Sequence, residues 1–326
     1  DCSQSRGLGD VYKRQTLDID SGERDPILYP NVADYVVHLK NPIYDVSKIS
    51  LISARIHNSQ LLINDHNNTF TINNMSNNYD ITIPNGNYDG EDLASNVVIN
   101  SGGRLSGSSY DKDTNSITFE GTTQFSFDFY NGTNGYKSGV NGKTTPHDIL
   151  GVSASNAFST SISPYKFYTG SVNLQGPDAI IVKLSSGSDE FNKTVFSETP
   201  FYTGRILLCG DVINFSGVDD TVEHNFDSGS QKTISSLRVQ FYYSSNNRLI
   251  PYEFREANHI LKLAVTCSTD KLENVAKVER DFSLPPPMSI PEMEDPRRWD
   301  AFISIFMVVA TGLFLLLVMR KPKLIE

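Results

Sequence analysis

The chain has 326 residues, a formal net charge of −10 and 38% hydrophobic residues, which is enough for about two domains. Binding to nucleic acid requires Lys and Arg clustered on one face, so the acidic balance argues against a nucleic-acid partner. Three scattered cysteines exclude a disulfide framework and a cysteine-rich zinc site, and they favour a reducing compartment.

Residues 1–15 share no pattern with the sequence that follows them. Asp10–Gln15 (DVYKRQ) resembles the in-frame translation of a transposon end sequence used to prepare sequencing libraries. The alternative is a genuine N-terminus. We expect residues 1–15 to be non-native and set them aside in predicting the fold, which also removes Cys2 from the cysteine count.

Residues 16–163 have the pattern of a β domain. Short runs rich in β-branched and aromatic residues alternate with Asn, Asp, Gly and Pro, which predicts strands. Two of these runs alternate strictly and predict one buried face each. The predicted strands are Tyr35–Leu39, Ile49–Ile56, Phe70–Ile72, Tyr79–Ile83, Ser116–Glu120 and Phe125–Phe129.

One short helix is predicted in this first domain, over Asn87–Val98. Asp89 is the capping residue, acidic residues follow it in the first turn, and Leu93 and Val97 lie on one side. Further on, Asp111–Asn115 imitates the start of a calcium loop, but Ser116 and Thr122 stand where an EF-hand needs glycine and glutamate. The sequence therefore predicts a polar turn there.

A polar segment at residues 153–164, ending in a proline, marks a boundary between two domains. Residues 164–270 form the second predicted β domain, so the expected fold is all-β, with two jelly-roll-like β-sandwiches. Cys209 and Cys267 lie in apolar runs and are expected to be small buried side chains, although their pairing stays open. The strands expected here are Ala179–Leu184, Arg205–Cys209, Leu237–Tyr243 and Leu261–Cys267.

The C-terminal part of the chain is predicted to be a linker followed by a membrane anchor. Five prolines in Leu284–Asp300 predict that residues 271–300 form an extended stalk, roughly 50 Å for these seventeen residues. Residues 301–319 carry no charge and no proline and would span roughly 28 Å, which predicts one transmembrane helix. The alternative is a buried core helix. Membrane-interface anchors are expected at Trp299, Arg320, Lys321 and Lys323, the last three in a basic tail of residues 320–326.

Motifs that carry chemistry are missing from the sequence. The six histidines are dispersed, and there is no nucleophile elbow, phosphate loop or dinucleotide fingerprint. We therefore predict a protein that is not an enzyme, with no catalytic residues, no cofactor and no metal. Five N-x-[ST] sequons, which matter only for a lumenal domain, occur at Asn67, Asn74, Asn131, Asn192 and Asn214.

Several ordered motifs resemble those of virion structural proteins from giant DNA viruses. The resemblance covers residues 16–270 and departs from the usual pattern at Gly22–Glu23. Its motifs are Ile19–Asp25 (IDSGERD) with Tyr29–Asn31 and Asp34–Val37, Ser53–Gln60 (SARIHNSQ), Thr82–Tyr88 (TIPNGNY) and Leu150–Gly151.

The resemblance implies a minor capsid or penton-like virion protein built of jelly-roll domains. Combined with the predicted anchor, it suggests a component that tethers the capsid shell to an internal viral membrane. Its expected partners are the lipid bilayer through residues 301–319, other capsid proteins and further copies of itself. The alternative function is a membrane-anchored attachment protein that binds a host glycan or receptor.

Two signals disagree about orientation in the membrane. Three cations follow the predicted helix and two, Arg297 and Arg298, precede it, which favours a lumenal β region. The scarcity of cysteines favours the opposite orientation. We give more weight to the cysteines and expect the β region to face the capsid, with all five sequons unoccupied.

Overall fold

Antiparallel β-structure dominates the computed structural model of this chain, which describes residues 12–74, 77–191, 203–218, 221–226, 232–268 and 296–319. The chain divides into two units, Asp1–Ala276 and Lys277–Glu326. The strands, all in the first unit, are β1 (Tyr12–Asp20), β2 (Asp34–His57), β3 (Thr69–Asn74), β4 (Asn77–Thr82), β5 (Leu105–Asp111), β6 (Ser116–Gly121), β7 (Phe125–Asp128), β8 (Asn156–Phe158), β9 (Tyr165–Tyr168), β10 (Ala179–Ser186), β11 (Asp189–Glu190), β12 (Gly204–Leu207), β13 (Val212–Ser216), β14 (Val222–Asn225), β15 (Lys232–Ser245), β16 (Arg248–Pro251) and β17 (Ile260–Ser268).

Two α-helices are described, α1 (Gly90–Asn100) in the first unit and α2 (Pro296–Val318) in the second. A single 3-10 turn, Ser21–Glu23, follows β1. The prediction of an all-β protein with one short helix in its first part and one apolar helix near its C-terminus is confirmed.

The largest sheet has ten strands, in the order β1-β17-β2-β15-β10-β11, with β12 on β10, β13 and β14 on β2, and β16 on β15. Strand β2 has 24 residues, and its two halves have different neighbours. The first half pairs with β15, and the second pairs with β17, β13 and β14. Tyr35 from the first half and Ile56 from the second belong to the same buried cluster, the first core. Both halves of β2 thus contribute side chains to one core.

The sequence predicted two strands where the structure has β2 alone. Pro42 lies between the two predicted segments, Tyr35–Leu39 and Ile49–Ile56, and proline has no N–H for a strand ladder. The structure continues the strand through Pro42 and accommodates it by a register shift, since the partner of His38 is Ser236 whereas that of Ile43 is Ile234. The irregularity is a bulge rather than a chain reversal.

The second core lies within residues 62–172 and is built from two small sheets and α1. The sheet orders are β4-β3-β7-β8 and β5-β6-β9. At its centre the Phe127 ring lies 5.4 Å from the ring of Phe119 and 5.5 Å from that of Phe70, both edge to face. Such contacts between aromatic rings add to the free energy gained by burying them.

Helix α1 begins at the residue that the sequence indicated. The Asp89 carboxylate accepts the backbone N–H of Asp92 at 2.8 Å, and Leu93 and Val97 are buried. Gly90 at the first position is required by packing, because a Cβ there would lie 2.4 Å from the Tyr110 ring. The predicted turn at Asp111–Asn115 is also present, since the Asp111 carboxylate accepts the N–H of Asp113 between β5 and β6.

The expected burial of Cys209 is wrong, whereas that of Cys267 is confirmed. A continuous apolar run predicted a fully buried strand, but β12 ends at Leu207 and only alternate residues face the core. Its position beside β10 leaves Arg205 and Leu207 exposed. Cys209 follows the strand on the exposed side, and both thiols are free.

Strand pairing groups the residues differently from the predicted division at residues 163 and 164. Strands β8 and β9, on either side of that point, belong to the two sheets of the second core. Strands β1 and β2 pair instead with β15 and β17. Residues 62–174 are thus an insertion between two parts of the ten-stranded sheet. Tyr12–Gln15 of the segment predicted to be non-native continue β1 through backbone pairing with Val265–Ser268.

Truncation of Phe127 should destabilise the second core strongly. We expect Phe127→Ala to lower the free energy of unfolding by about 3–5 kcal/mol, since it removes a buried ring and leaves a cavity. Phe158→Ala is the matched control: Phe158 lies on the neighbouring strand but is 66% exposed, so its effect should stay within about 0.5 kcal/mol. Denaturant unfolding of the full chain in detergent measures both, and equal losses would contradict the assignment of this core.

Candidate functional site

Helix α2 is the first candidate functional element. By length and composition, the 19 residues Asp300–Val318 form the one described helical stretch that could span a membrane, and the mean hydropathy of an 18-residue window within it is 2.7. None of this stretch is buried. An exposed apolar helix of this length needs a lipid or protein environment to cover it.

The polar side chains inside α2 find partners within the helix. The Ser304 hydroxyl donates to the backbone carbonyl of Asp300, and the Thr311 hydroxyl donates to that of Met307. Neither hydroxyl therefore enters the apolar surroundings with an unsatisfied donor, which would be costly in a bilayer.

The predicted membrane-interface anchors stay predictions. The backbone of Trp299 lies in α2, but its side chain is outside the described part of the structure. Arg320, Lys321 and Lys323 lie outside the described residues, as do residues 271–295 of the predicted stalk.

In the first motif, Ile19–Asp25, the Arg24 side chain clamps a turn. Its guanidinium donates to the carbonyl of Ser21 at 2.9 Å, to that of Tyr29 at 3.0 Å and to the Glu256 carboxylate at 3.0 Å. A planar guanidinium with five donors suits several acceptors held in fixed directions. The clamped turn presents Ile27, which is 89% exposed, to solvent.

The second motif, Ser53–Gln60, holds the segment that follows β16. The Ser59 hydroxyl donates to the carbonyl of Phe254 at 2.6 Å, and the Gln60 side-chain carbonyl accepts the N–H of Glu253 at 3.1 Å. The Tyr252 hydroxyl donates to Asn58 at 2.8 Å. The first and second motifs thus fix the same segment, residues 252–258, which sequence analysis did not detect because the partners are about 200 positions apart.

The third motif, Thr82–Tyr88, holds the connection between the ten-stranded sheet and the second core. Gly86 and Ile63 exchange backbone hydrogen bonds of 2.9 and 3.0 Å. The Asn87 side-chain carbonyl accepts the N–H of Leu62 at 2.9 Å. The contacts of the first three motifs are therefore structural.

His259 is a buried histidine beside the first motif. Its Nε2 lies 2.9 Å from the Tyr35 hydroxyl, and its backbone N–H donates to the Ser21 hydroxyl at 2.8 Å. The rings of Phe241 and Phe254 pack against it. Burial lowers the pKa of His259 to about 3, so the ring is neutral near pH 7.

A cleft of about 440 Å³ lies between the two cores. Tyr243 lies in its wall, and burial raises the pKa of this hydroxyl. Thr145 and Asp148 also line it, and both contact His147, through Nδ1 at 2.9 Å and Nε2 at 3.2 Å. This arrangement imitates a hydrolase triad, but the three residues share one turn and Thr145 is 2% exposed, which closes its hydroxyl to a substrate.

The described residues contain no group of three His, Cys, Asp or Glu side chains that could hold a metal ion.

Acid should destabilise the protein through His259. In the unfolded state the histidine binds a proton near pH 6.5, whereas in the folded state it does so only near pH 3. The unfolded state therefore holds the extra proton between these values, and the free energy of unfolding should fall by up to about 1.4 kcal/mol per unit as pH drops from 6.5 towards 3.

The variant His259→Gln should lower that slope, and His38→Gln, at an exposed position on β2, should leave it unchanged. Denaturant titrations at several pH values measure the slope, which does not depend on any constant loss of stability in the variant. A slope that is the same in wild type and His259→Gln would contradict the assignment.

Comparison with known proteins gives the following matches. The model of a family of unknown function, DUF5901, matches residues 13–97, a segment that contains the first three motifs and not Leu150–Gly151. A search of curated proteins returned no match.

Two solved viral structures resemble the fold distantly. The crystal structure of the selenomethionine-labelled mavirus penton protein covers 78% of this chain and 99% of its own, with 12% identity and a TM-score of 0.40. The 3.5 Å cryo-EM structure of the Sputnik virophage covers 78% of this chain and 98% of the matched chain, with 12% identity and a TM-score of 0.30. At these scores neither likeness assigns a function.

Proposed function

We propose that this chain is a non-enzymatic virion structural protein, a membrane-anchored minor capsid component that tethers the capsid shell to an internal viral membrane. The observation that carries the proposal is helix α2, whose apolar side chains over Asp300–Val318 are all uncovered. In a tether, this helix enters the bilayer and the β unit contacts the shell.

The ordered motifs support the virion part of this proposal. They resemble the motifs of giant-virus structural proteins, and their contacts in this fold are structural: Arg24, Ser59 and Asn87 each fix backbone groups. Partner surfaces on a structural protein of this kind are expected at sheet edges and loops, which leave backbone groups and side chains free for other chains.

Charges introduced into the middle of α2 should prevent membrane insertion. Arg at the centre of a membrane helix costs about 2.5–3.5 kcal/mol, so Val309→Arg combined with Leu313→Arg should lower the insertion equilibrium by more than about 1,000-fold. Flotation of the full chain with liposomes after alkaline extraction measures insertion. The matched control is Val309→Leu with Leu313→Ile, which should float like wild type. Flotation of the doubly charged variant would contradict a membrane anchor.

Cross-linking in intact virions separates the tether from the attachment protein. Lys112 and Lys137 are exposed on the β unit and available to amine-reactive reagents. For a tether we expect cross-links from these lysines to capsid-shell proteins and no labelling by a reagent excluded from the virion. Labelling of both lysines from outside would instead favour the attachment protein.

The sequons report orientation in the same material. Asn131 and Asn214 are exposed and could accept a glycan, whereas Asn67 is buried and its amide donates to the carbonyl of Leu62 at 3.0 Å. A β unit that faces the capsid should carry no glycan at Asn131 or Asn214. Mass spectrometry that finds glycans there would place the β unit in the lumen during assembly and overturn the proposed orientation.

A further inference from the structure

Two aliphatic side chains are exposed on the turn that Arg24 clamps. Ile27 is 89% exposed and Leu28 is 68% exposed. We call these two side chains the tip. Single apolar residues scattered over a surface are ordinary, whereas two adjacent ones at the end of one turn give a partner a continuous apolar contact.

Hydrogen bonds fix the backbone that carries the tip. The Asp25 carboxylate accepts the N–H of Ile27 at 2.9 Å and that of Leu28 at 3.2 Å. The Asp25 carbonyl accepts the N–H of Tyr29 at 2.9 Å, and the carbonyl of Tyr29 accepts from the Arg24 guanidinium. Because the turn is already ordered, little conformational entropy is lost when a partner covers the tip.

Acidic side chains lie beside the tip. Residues 18–30 carry four carboxylates and one guanidinium, a net charge of −3. That guanidinium belongs to Arg24, whose side chain is only 8% exposed, so its charge is largely shielded from a partner. The exposed carboxylates on this turn and on the segment that Arg24 contacts, which we call the acidic rim, are Asp20, Glu23, Asp25 and Glu256.

A partner for this surface needs an apolar pocket and positive charge around it. Burying two aliphatic side chains is favourable, and Lys or Arg beside the pocket would complement the acidic rim. A second copy of this chain is disfavoured by its own net charge of −10. Anionic lipid headgroups are disfavoured by the same repulsion. The charges therefore favour a different protein with a basic surface.

We propose that the tip docks the β unit onto a shell protein by entering an apolar pocket bordered by Lys or Arg. This inference rests on the proposed tether function and names the surface that makes the contact with the shell. A rigid side chain that fills a pocket supplies a large share of the binding free energy of an interface, while complementary charges set its orientation and its choice of partner.

Carboxylate labelling of virions tests this contact on the natural protein. A carbodiimide with glycine ethyl ester modifies exposed carboxylates, and mass spectrometry measures the modified fraction at each site. The labelling of Glu23 relative to Asp113, which is exposed on the turn between β5 and β6, should be at least about threefold lower in virions than in the purified full chain in detergent, because the interface excludes water around the tip.

The full chain reconstituted in liposomes separates a protein partner from a lipid surface. Without shell proteins, the labelling ratio of Glu23 to Asp113 should equal that in detergent. A ratio that falls in liposomes alone would assign the tip to the lipid surface and overturn docking onto a shell protein.

Variants of the tip provide a second test. Ile27→Gln combined with Leu28→Gln should lower the number of copies per virion by at least about tenfold, as expected for the central contact of an interface. The matched control is Ile99→Gln on α1, where an isoleucine that is 74% exposed is replaced, and it should be incorporated like wild type. Because the replaced side chains are exposed, both variants should unfold at the denaturant concentration of wild type and float with liposomes.

The outcomes distinguish this contact from the tether itself. Normal incorporation of the double variant would overturn docking through the tip, as would an unchanged labelling ratio in virions, and either result would leave a tether that uses another surface. Absence of the wild-type chain from virions would overturn both the proposed function and this contact.

Discussion

The backbone hydrogen bonds of strand β2 are the constraint on which the β unit depends. With 24 residues, β2 is long enough to take β15 as a neighbour along its first half and β17, β13 and β14 along its second. Side chains of both halves, such as Tyr35 and Ile56, then face one core. A chain break near Pro42 would separate these ladders, and the bulge there keeps them continuous.

The long pairings of β2 also explain the position of the second core. Because the partners of β2 come from the last hundred residues of the β unit, the segment between them must leave the sheet and return to it. Residues 62–174 do so as a separately packed group around Phe127. The two cores of this unit meet through polar contacts, such as the hydrogen bond from the Arg248 guanidinium to the carbonyl of Lys143.

Side chains of the first three motifs hold segments of the chain that lie outside the motifs themselves. Arg24 and Ser59 both hold residues 252–258, and Asn87 holds the start of the insertion. Each side chain donates to or accepts from backbone groups that no ladder satisfies. Leaving such buried groups unpaired costs free energy, so these positions are constrained in residue type without any catalytic role.

Local patterns in the sequence determined many of the strand segments, helix α1 with its cap at Asp89, and the apolar stretch of α2, because alternation, capping and hydropathy depend on neighbouring residues. Pairing between distant strands was decided only by the tertiary structure, which is why the boundary at residues 163 and 164 and the burial of Cys209 could not be obtained from composition. The same holds for the first motif: only folding brings Arg24 to Glu256, 232 positions away, because local patterns do not specify partners that are distant in sequence.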